Sequence, residues 1–240
     1  MRRQIGTIAV IVSITISGVS IATADSSTSN PSVPELGLAK TYAVLTATRI
    51  ENNGYTDTAS TNAGNDLGIS ESFDLSNWDD RDIVGRTNFN NDAARAAQAD
   101  LTKAYVKASV LKATVIDSHL GGKTLKPGVY VSKTGLFWIT GTLTLDTLGN
   151  PNARFVFRTV DSMRTSARSK VVIKGGKQAC NVFWRIPGIA TLGQDSTMVG
   201  HVMSNTYVIL QRDVKLYGQI LVRKGGTFLY DSYIKNQVCR

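Results

Sequence analysis

Two histidines, two cysteines and five prolines among 240 residues set the first limits. His119 and His201 stand far apart, and with only Cys180 and Cys239 beside them neither a zinc site nor any other metal or cofactor site is expected. No G-x-S-x-G elbow, G-x-G-x-x-G turn or P-loop occurs, so the usual sites for acyl-serine, dinucleotide and nucleotide chemistry are missing. There is also no run of five or six like charges. The net charge of +9 is scattered through Arg154, Arg158, Arg164, Arg168, Lys170, Lys174, Lys177 and others. Such scatter suits solubilising charge on outward strand faces, and secondarily affinity for acidic polysaccharide or membrane headgroups. Nucleic-acid binding, which needs basic residues clustered with aromatics, is not expected.

The N-terminus does carry a pattern. Arg2 and Arg3 precede an apolar run from Ile5 to Ile21, and Ala22-Thr23-Ala24 supplies a small-x-small cleavage site. This is the layout of a secretory signal peptide over residues 1–24. The same run is about long enough to span a membrane, although Ser, Thr and Gly dilute it. Cleavage is the preferred reading. It leaves a polar leader over 25–34 and one domain over 35–240, with a net charge of +7 once Arg2 and Arg3 are removed. The expected product is secreted, monomeric and without stable membrane insertion. In an exported chain an even, sparse cysteine count reads as one disulfide, Cys180 to Cys239, that ties the C-terminus to an interior coil and stabilises it by about 2–4 kcal/mol.

The C-terminal third repeats every 18 or 19 residues. Ala190-Thr191-Leu192 recurs as Val208-Ile209-Leu210 and as Thr227-Phe228-Leu229. Ser196 to Gly200 recurs as Val214 to Gly218, and Val202-Met203-Ser204 as Ile220-Leu221-Val222. Short β-branched and aromatic triplets punctuated by Gly at this period predict a parallel β-solenoid with about three strands per turn. One segment differs. Behind Asn91 or Asp92 as N-cap, residues 92–115 are dense in helix formers. Ala94, Ala97, Leu101, Ala104, Ala108 and Leu111 fall at spacings of three and four, forming one narrow stripe of mostly small side chains. That predicts a long helix lying close against the side of the solenoid.

Candidate reactive groups are sparse. Ser109 and Lys112 fit S-x-x-K, but no companion S-D-N or K-T-G motif occurs. Asp79, Asp80 and Asp82 lie in a stretch, 73–90, that reads as a loop or cap without an EF-hand pattern. Asp146, Asp161, Asp195, Asp213 and Asp231 show no clustering in sequence of the kind a glycosidase needs. His201 falls where Gln219 stands one repeat later, and reads as a surface or turn histidine. Trp138, Phe155, Phe157, Phe183 and Trp184 sit in apolar runs and read mostly as core, with Trp184 beside Arg185 at a rim. Thr140, Thr142 and Thr144 place alternating hydroxyls on one strand face; they suit an adsorbing rank, but an ordinary exposed strand is the preferred reading.

The stretches GGKTLKPGVYVSKTG, GTLTLDTLGNPNARFVFRT, GGKQACNVFWRI and ATLGQDSTMVGHVMSNT, with the helix AAQADLTKAY and the opening LGLAKTYAVLTATRIENNG, resemble the secreted microbial ice-binding (antifreeze) proteins. The resemblance runs in order over about 35–240. It implies a mainly β fold: a discontinuous right-handed parallel β-solenoid (β-helix) of triangular cross-section, one long α-helix packed alongside, and a flat β-face that adsorbs to ice. Strong members carry a T-(A/G)-x-(T/N) motif at the turn into the ice-facing strands. The matching positions here are Thr165-Ser166-Ala167-Arg168, Gln194-Asp195-Ser196-Thr197 and Arg212-Asp213-Val214-Lys215.

On this basis the expected face comprises Thr165, Ser166, Ser169, Ser196, Thr197, Val214, Lys215 and Ser232, with the strands that follow each turn. Thr suits such a face because its stiff, small side chain lets ordered water settle between ranks. A hydrated Lys or Arg there props the face off a crystal, so the expected activity is moderate: crystal shaping and inhibition of growth and recrystallisation, with no enzymatic step. The alternative is an extracellular adhesion or matrix module holding anionic glycans or a cell surface; a carbohydrate-active enzyme on a β-helix stands behind both.

Overall fold

The 18- and 19-residue period is the register of a parallel β-stack. Ala190, Thr191 and Leu192 pair with Val208, Ile209 and Leu210, and these pair with Thr227, Phe228 and Leu229. Thr197–Ser204 pairs residue by residue with Lys215–Val222. The computed structural model describes residues 32–58, 65–78, 83–176 and 179–237. The expected signal peptide and most of the leader, together with Asp79, Asp80, Asp82 and Cys239, lie outside the described residues.

Each turn of the chain passes through three strands, which gives the stack three sides. The first side runs Thr87–Phe89, Asp66–Ile69, Tyr42–Thr46, the second halves of Lys215–Val222 and Thr197–Ser204, Val182–Ile186, Phe155–Arg158, Gly128–Ser132 and Thr114–Ile116. A narrow second side is built from short strands: Asp74–Ser76, Arg49–Asn52, Thr227–Leu229, Val208–Leu210, Ala190–Leu192, Met163–Thr165 and Phe137–Ile139. The broad third side holds Thr124–Leu125, Thr142–Asp146, Lys170–Lys174, the first halves of the two long strands, and Tyr233–Lys235. The long strands turn from the third side to the first at Gly200 and Gly218. There a Cβ on Gly218 would lie 1.9 Å from the Gly200 carbonyl oxygen, so no larger residue fits.

Chain order and stacking order differ. Val44 pairs with Ile220, Ile50 with Thr227 and Asp57 with Tyr233, so the C-terminal coil stacks on the N-terminal one in the middle of the stack. Gln219 reinforces this seam, its amide donating to the carbonyls of Ala39 and Lys40 at 3.0 and 3.1 Å and to that of Tyr42. The β-solenoid is therefore discontinuous, as the resemblance implies. The segment 73–90, expected as a loop or cap, contributes two of the strands, Asp74–Ser76 and Thr87–Phe89.

A discontinuous stack needs a connection from one end to the other, and the helix Asp92–Val110 is that connection. Its 19 residues span about 28 Å along a side of nine strands that extends ~38 Å. The Asn91 side chain accepts from the Ala94 amide at 2.9 Å, as an N-cap does. Ala97, Leu101, Ala104 and Ala108 pack on Leu45, Val156, Phe183, Met203 and Leu221, small residues allowing close approach to the sheet. Gln98 and Tyr105 widen the buried stripe beyond the expected residues; the Gln98 amide donates to the Val222 and Arg223 carbonyls at 2.8 and 2.7 Å. The helix stops at Val110 rather than near 115, because Leu111 is extended and Thr114-Val115-Ile116, a β-rich triplet, opens the first coil.

Inside the stack, register partners pile like on like. Phe157 and Trp184 are neighbours on adjacent strands, with ring centroids 4.0 Å apart and planes at 11°. Trp184 is thus core, not rim, and its indole N–H donates to the Val199 carbonyl at 2.9 Å. The outward tryptophan is Trp138, which is 44% exposed on the narrow side. His201 is likewise no surface residue. At 4% exposure it stands between Phe183 and Gln219 in the ladder, and its Nε2–H donates to the Cys180 carbonyl at 3.0 Å. Burial pushes its pKa down to about 4, so it is neutral.

Candidate functional site

The helix covers the first side, and no described residues cover the other two. Between them runs a corner whose shape is set by one backbone feature. Arg168, Asp195, Asp213 and Asp231 all take positive φ, at 59°, 57°, 61° and 42°. These left-handed residues reverse the chain tightly at equivalent places in successive coils. Short polar Asp is tolerated there. Asp195, Asp213 and Asp231 therefore stack along one edge, a clustering that sequence spacing did not reveal. Asp231 is held by Arg212 at 3.2 Å and by the Tyr55 amide at 2.8 Å. No three acidic, His or Cys groups among the described residues are arranged to hold a metal ion.

The residue after each left-handed position points into the corner. Ser169, Ser196, Val214 and Ser232 are all buried, as is Thr165. The Thr165 hydroxyl donates to Ser196 Oγ at 3.2 Å and accepts from the Gly193 amide at 2.8 Å. Ser169 donates to the Ser166 carbonyl at 2.8 Å and Ser232 to the Tyr230 carbonyl at 2.9 Å. These five expected face residues are corrected to corner pins: the hydroxyls of Thr165, Ser169, Ser196 and Ser232 are taken up by turn groups or by one another, Val214 packs in the core, and none of the five lies on the outward surface. Ser166 is half-buried at the narrow-side edge, accepting from the Trp138 indole at 2.9 Å and paired with the Thr140 hydroxyl at 3.0 Å. Only Thr197 and Lys215 of the expected set face outward on the broad side.

On that side strand alternation produces two outward columns. The first runs Thr142, Lys170, Thr197, Lys215 and Tyr233 through direct register pairs. The second begins Thr124 and Thr144, continues to Val172, which is 36% exposed, and sinks at Val199, which is 8% exposed beside the Gly200 bend. It then rises to Tyr217, whose ring lies 6.1 Å from that of Tyr233. Thr142 and Thr144 thus lie on an exposed strand face, which both readings of them require, whereas Thr140 belongs to the corner. Thr124, Lys170 and Val172 share the face. Their signal lies in counting residues from the corner: Lys170 follows Ser169 as Thr197 follows Ser196. At the far edge Lys174 pairs with Asp146 at 3.0 Å. The Leu148 amide and then Lys174 hold that carboxyl below its usual range.

The narrow side presents one outward column of unlike residues: Trp138, Arg164, Thr191, Ile209, Phe228, Glu51 and Ser76. Its mixture of ring, guanidinium and carboxylate makes an uneven surface. Elsewhere the S-x-x-K pair does not assemble, since Ser109 donates to its own helix at the Val106 carbonyl and Lys112 lies beyond the helix end.

Comparison with known proteins places this architecture. A family model described as Ice-binding-like matches residues 6–235. The chain is 33% identical over 209 residues to an ice-binding protein of Nostoc sp. (strain HG1), covering 85% of this chain and 75% of that one. The crystal structure of an ice-binding protein from an Antarctic biological consortium superposes with a TM-score of 0.82 at 28% identity, over 88% of this chain and 94% of that one. The structure of the ice-binding protein from the Antarctic ascomycete Antarctomyces psychrotrophicus gives 0.77 at 27% identity, over 87% and 100%. With its stacked coils, its spanning helix and a match along nearly its whole length, the chain belongs to the ice-binding-like family.

Proposed function

We propose that the protein adsorbs to ice through its broad side, with Thr124, Thr142, Thr144, Val172 and Thr197 as the contact residues. The observation that carries this reading is the pair of outward columns, in which small β-branched side chains recur on consecutive coils at the ~4.8 Å ladder spacing. Their stiff χ1 angles fix methyl and hydroxyl groups in rows, and the stacked strands hold the rows level. The family relatives named above as ice-binding proteins support the same reading.

Adsorption at such a face forces ice to advance as curved fronts between anchored molecules, which lowers the local freezing point. No covalent step is required, so the protein acts without catalysis. Lys170 and Lys215 interrupt the first column, and their hydration shells keep part of the face off the lattice. The activity is accordingly moderate, expressed as crystal shaping and recrystallisation inhibition. In this reading the chain is secreted after loss of residues 1–24, acts as a monomer, and carries the Cys180–Cys239 disulfide; Cys180 is not a free thiol.

Ice-affinity partition of the recombinant mature chain tests the proposal, with crystal habit scored beside it. Enrichment in the ice fraction and faceted crystals are expected. Exclusion from ice at the level of an inert control protein would overturn it.

A further inference from the structure

At the seam between the helix and the covered side, three guanidiniums gather without a counter-charge. Arg158 and Arg185 are register partners on adjacent strands, and Arg223 lies beyond the end of Lys215–Val222. Arg185 and Arg223 both lie over the Tyr105 ring, their Cζ atoms 4.4 and 4.7 Å from its centroid. Arg158 donates to the Ser109 carbonyl in the last helical turn. Arg185 donates to the Thr159 carbonyl at 3.3 Å, and Arg223 to the Thr102 hydroxyl at 3.4 Å and the Asn205 amide oxygen at 3.0 Å.

Every one of these acceptors is neutral. No carboxylate among the described residues pairs with any of the three arginines. The Nε–H groups of Arg158 and Arg185 are buried without a partner. Tyr105 is 3% exposed, and its hydroxyl makes no hydrogen bond to another described residue. Burial holds the Arg185 guanidinium below its usual pKa; Tyr105 opposes this, and Arg158 and Arg223 add to it. The seam therefore concentrates N–H and O–H donors and positive charge, with nothing anionic to receive them. The stacking contacts and the Ser109 carbonyl account for where the side chains lie, but not for why three like charges are left unneutralised.

We propose that the Arg158–Arg185–Tyr105 cluster is an oxyanion-binding site, taking a sulfate, phosphate or carboxylate group on the terminal N–H groups of the guanidiniums and the phenol. The matching chemistry is the forked donor geometry of arginine, which meets two oxygens of such a group at once. The group arrives either as a free ion or as a substituent of an acidic polysaccharide. The site lies on the helix-covered side, apart from the broad side, and rests on no part of the ice-binding reading.

Titration of sodium sulfate into the full mature chain at constant ionic strength, followed by calorimetry and by the Arg Nε–H resonances, tests the proposal. Saturable binding with shifts confined to the three arginines is expected. Tyr105→Phe keeps the stacking ring and should weaken binding several-fold; Arg158→Gln should abolish it, and Arg158→Lys should retain a weak remnant. Dextran sulfate against neutral dextran separates the two sources: retention lost in the same variants assigns a polymer-borne group, and sulfate binding without retention assigns the free ion. Sulfate response no larger than that of chloride, or binding unchanged in both Tyr105→Phe and Arg158→Gln, would overturn the site.

Discussion

Thr197 and Lys215 are parallel register partners on the broad side, so a small hydroxyl and a long ammonium stand side by side near its centre. Lys170 pairs with Thr197 from the other side, which leaves the threonine between two charged neighbours. Replacing both lysines in Lys170→Thr/Lys215→Thr removes two hydrated props and completes a run of four Thr with Thr142. Thermal hysteresis is expected to rise several-fold while the circular dichroism spectrum stays unchanged. An unchanged or reduced hysteresis would show that the lysines do not limit contact.

The corner hydroxyls predict a different phenotype. Thr165→Val leaves the buried Gly193 amide without its acceptor. An unpaired buried donor costs about 1–3 kcal/mol. Chemical denaturation should show that loss, whereas ice-affinity partition at low temperature should remain as in the parent. Loss of ice affinity in a folded Thr165→Val protein would return this residue to the adsorbing face.

His201 makes stability depend on pH. Its folded pKa, about 4, lies below the ordinary 6.5, so the unfolded chain binds its proton first as pH falls. The stability it contributes is complete above about pH 6.5 and declines by about 1.4 kcal/mol per pH unit down to pH ~4. His201→Gln, which repeats the residue found one coil on at Gln219, should flatten that slope in denaturation curves taken between pH 4 and 7. An identical slope in the variant would mean that other groups govern it.

These cases show what was legible in the chain and what was not. The triplets at 190, 208 and 227 were readable because buried strand partners in adjacent coils need similar residues, and they proved to be in register. The Ala-rich stripe announced the helix for a related reason, since close packing admits only small side chains. The inward or outward sense of the corner residues was misread. Aligned with the motif, the turn residues around left-handed Arg168 and Asp195 read as a face, whereas counting by twos from the outward Arg164 and Thr191 brings Ser169 and Ser196 inward, as found. His201 misled because the bend at Gly200 carries the strand from an open side to the helix-covered one, where facing outward still means burial. Gln98 and Tyr105 were missed on the helix because polar residues read as exposed, whereas the Gln98 amide is taken up by two carbonyls and the Tyr105 ring is covered by two guanidiniums.

The proposed link from Cys180 to Cys239 would tie the C-terminus to an interior coil. Cys239→Ser in the full chain is expected to lower stability by about 2–4 kcal/mol, and a reducing agent should lower the parent by the same amount without affecting the variant. Equal sensitivity of both proteins to reduction would contradict the pairing.

The most direct measurement compares the two open sides. Thr144→Tyr places a bulky ring on the broad side, and Thr191→Tyr places the same ring on the narrow side. Both proteins should fold as the parent does. If the broad side meets ice, hysteresis and ice partition fall sharply for Thr144→Tyr and hold for Thr191→Tyr. The reverse pattern, or equal activity in both, would contradict the assignment of the face.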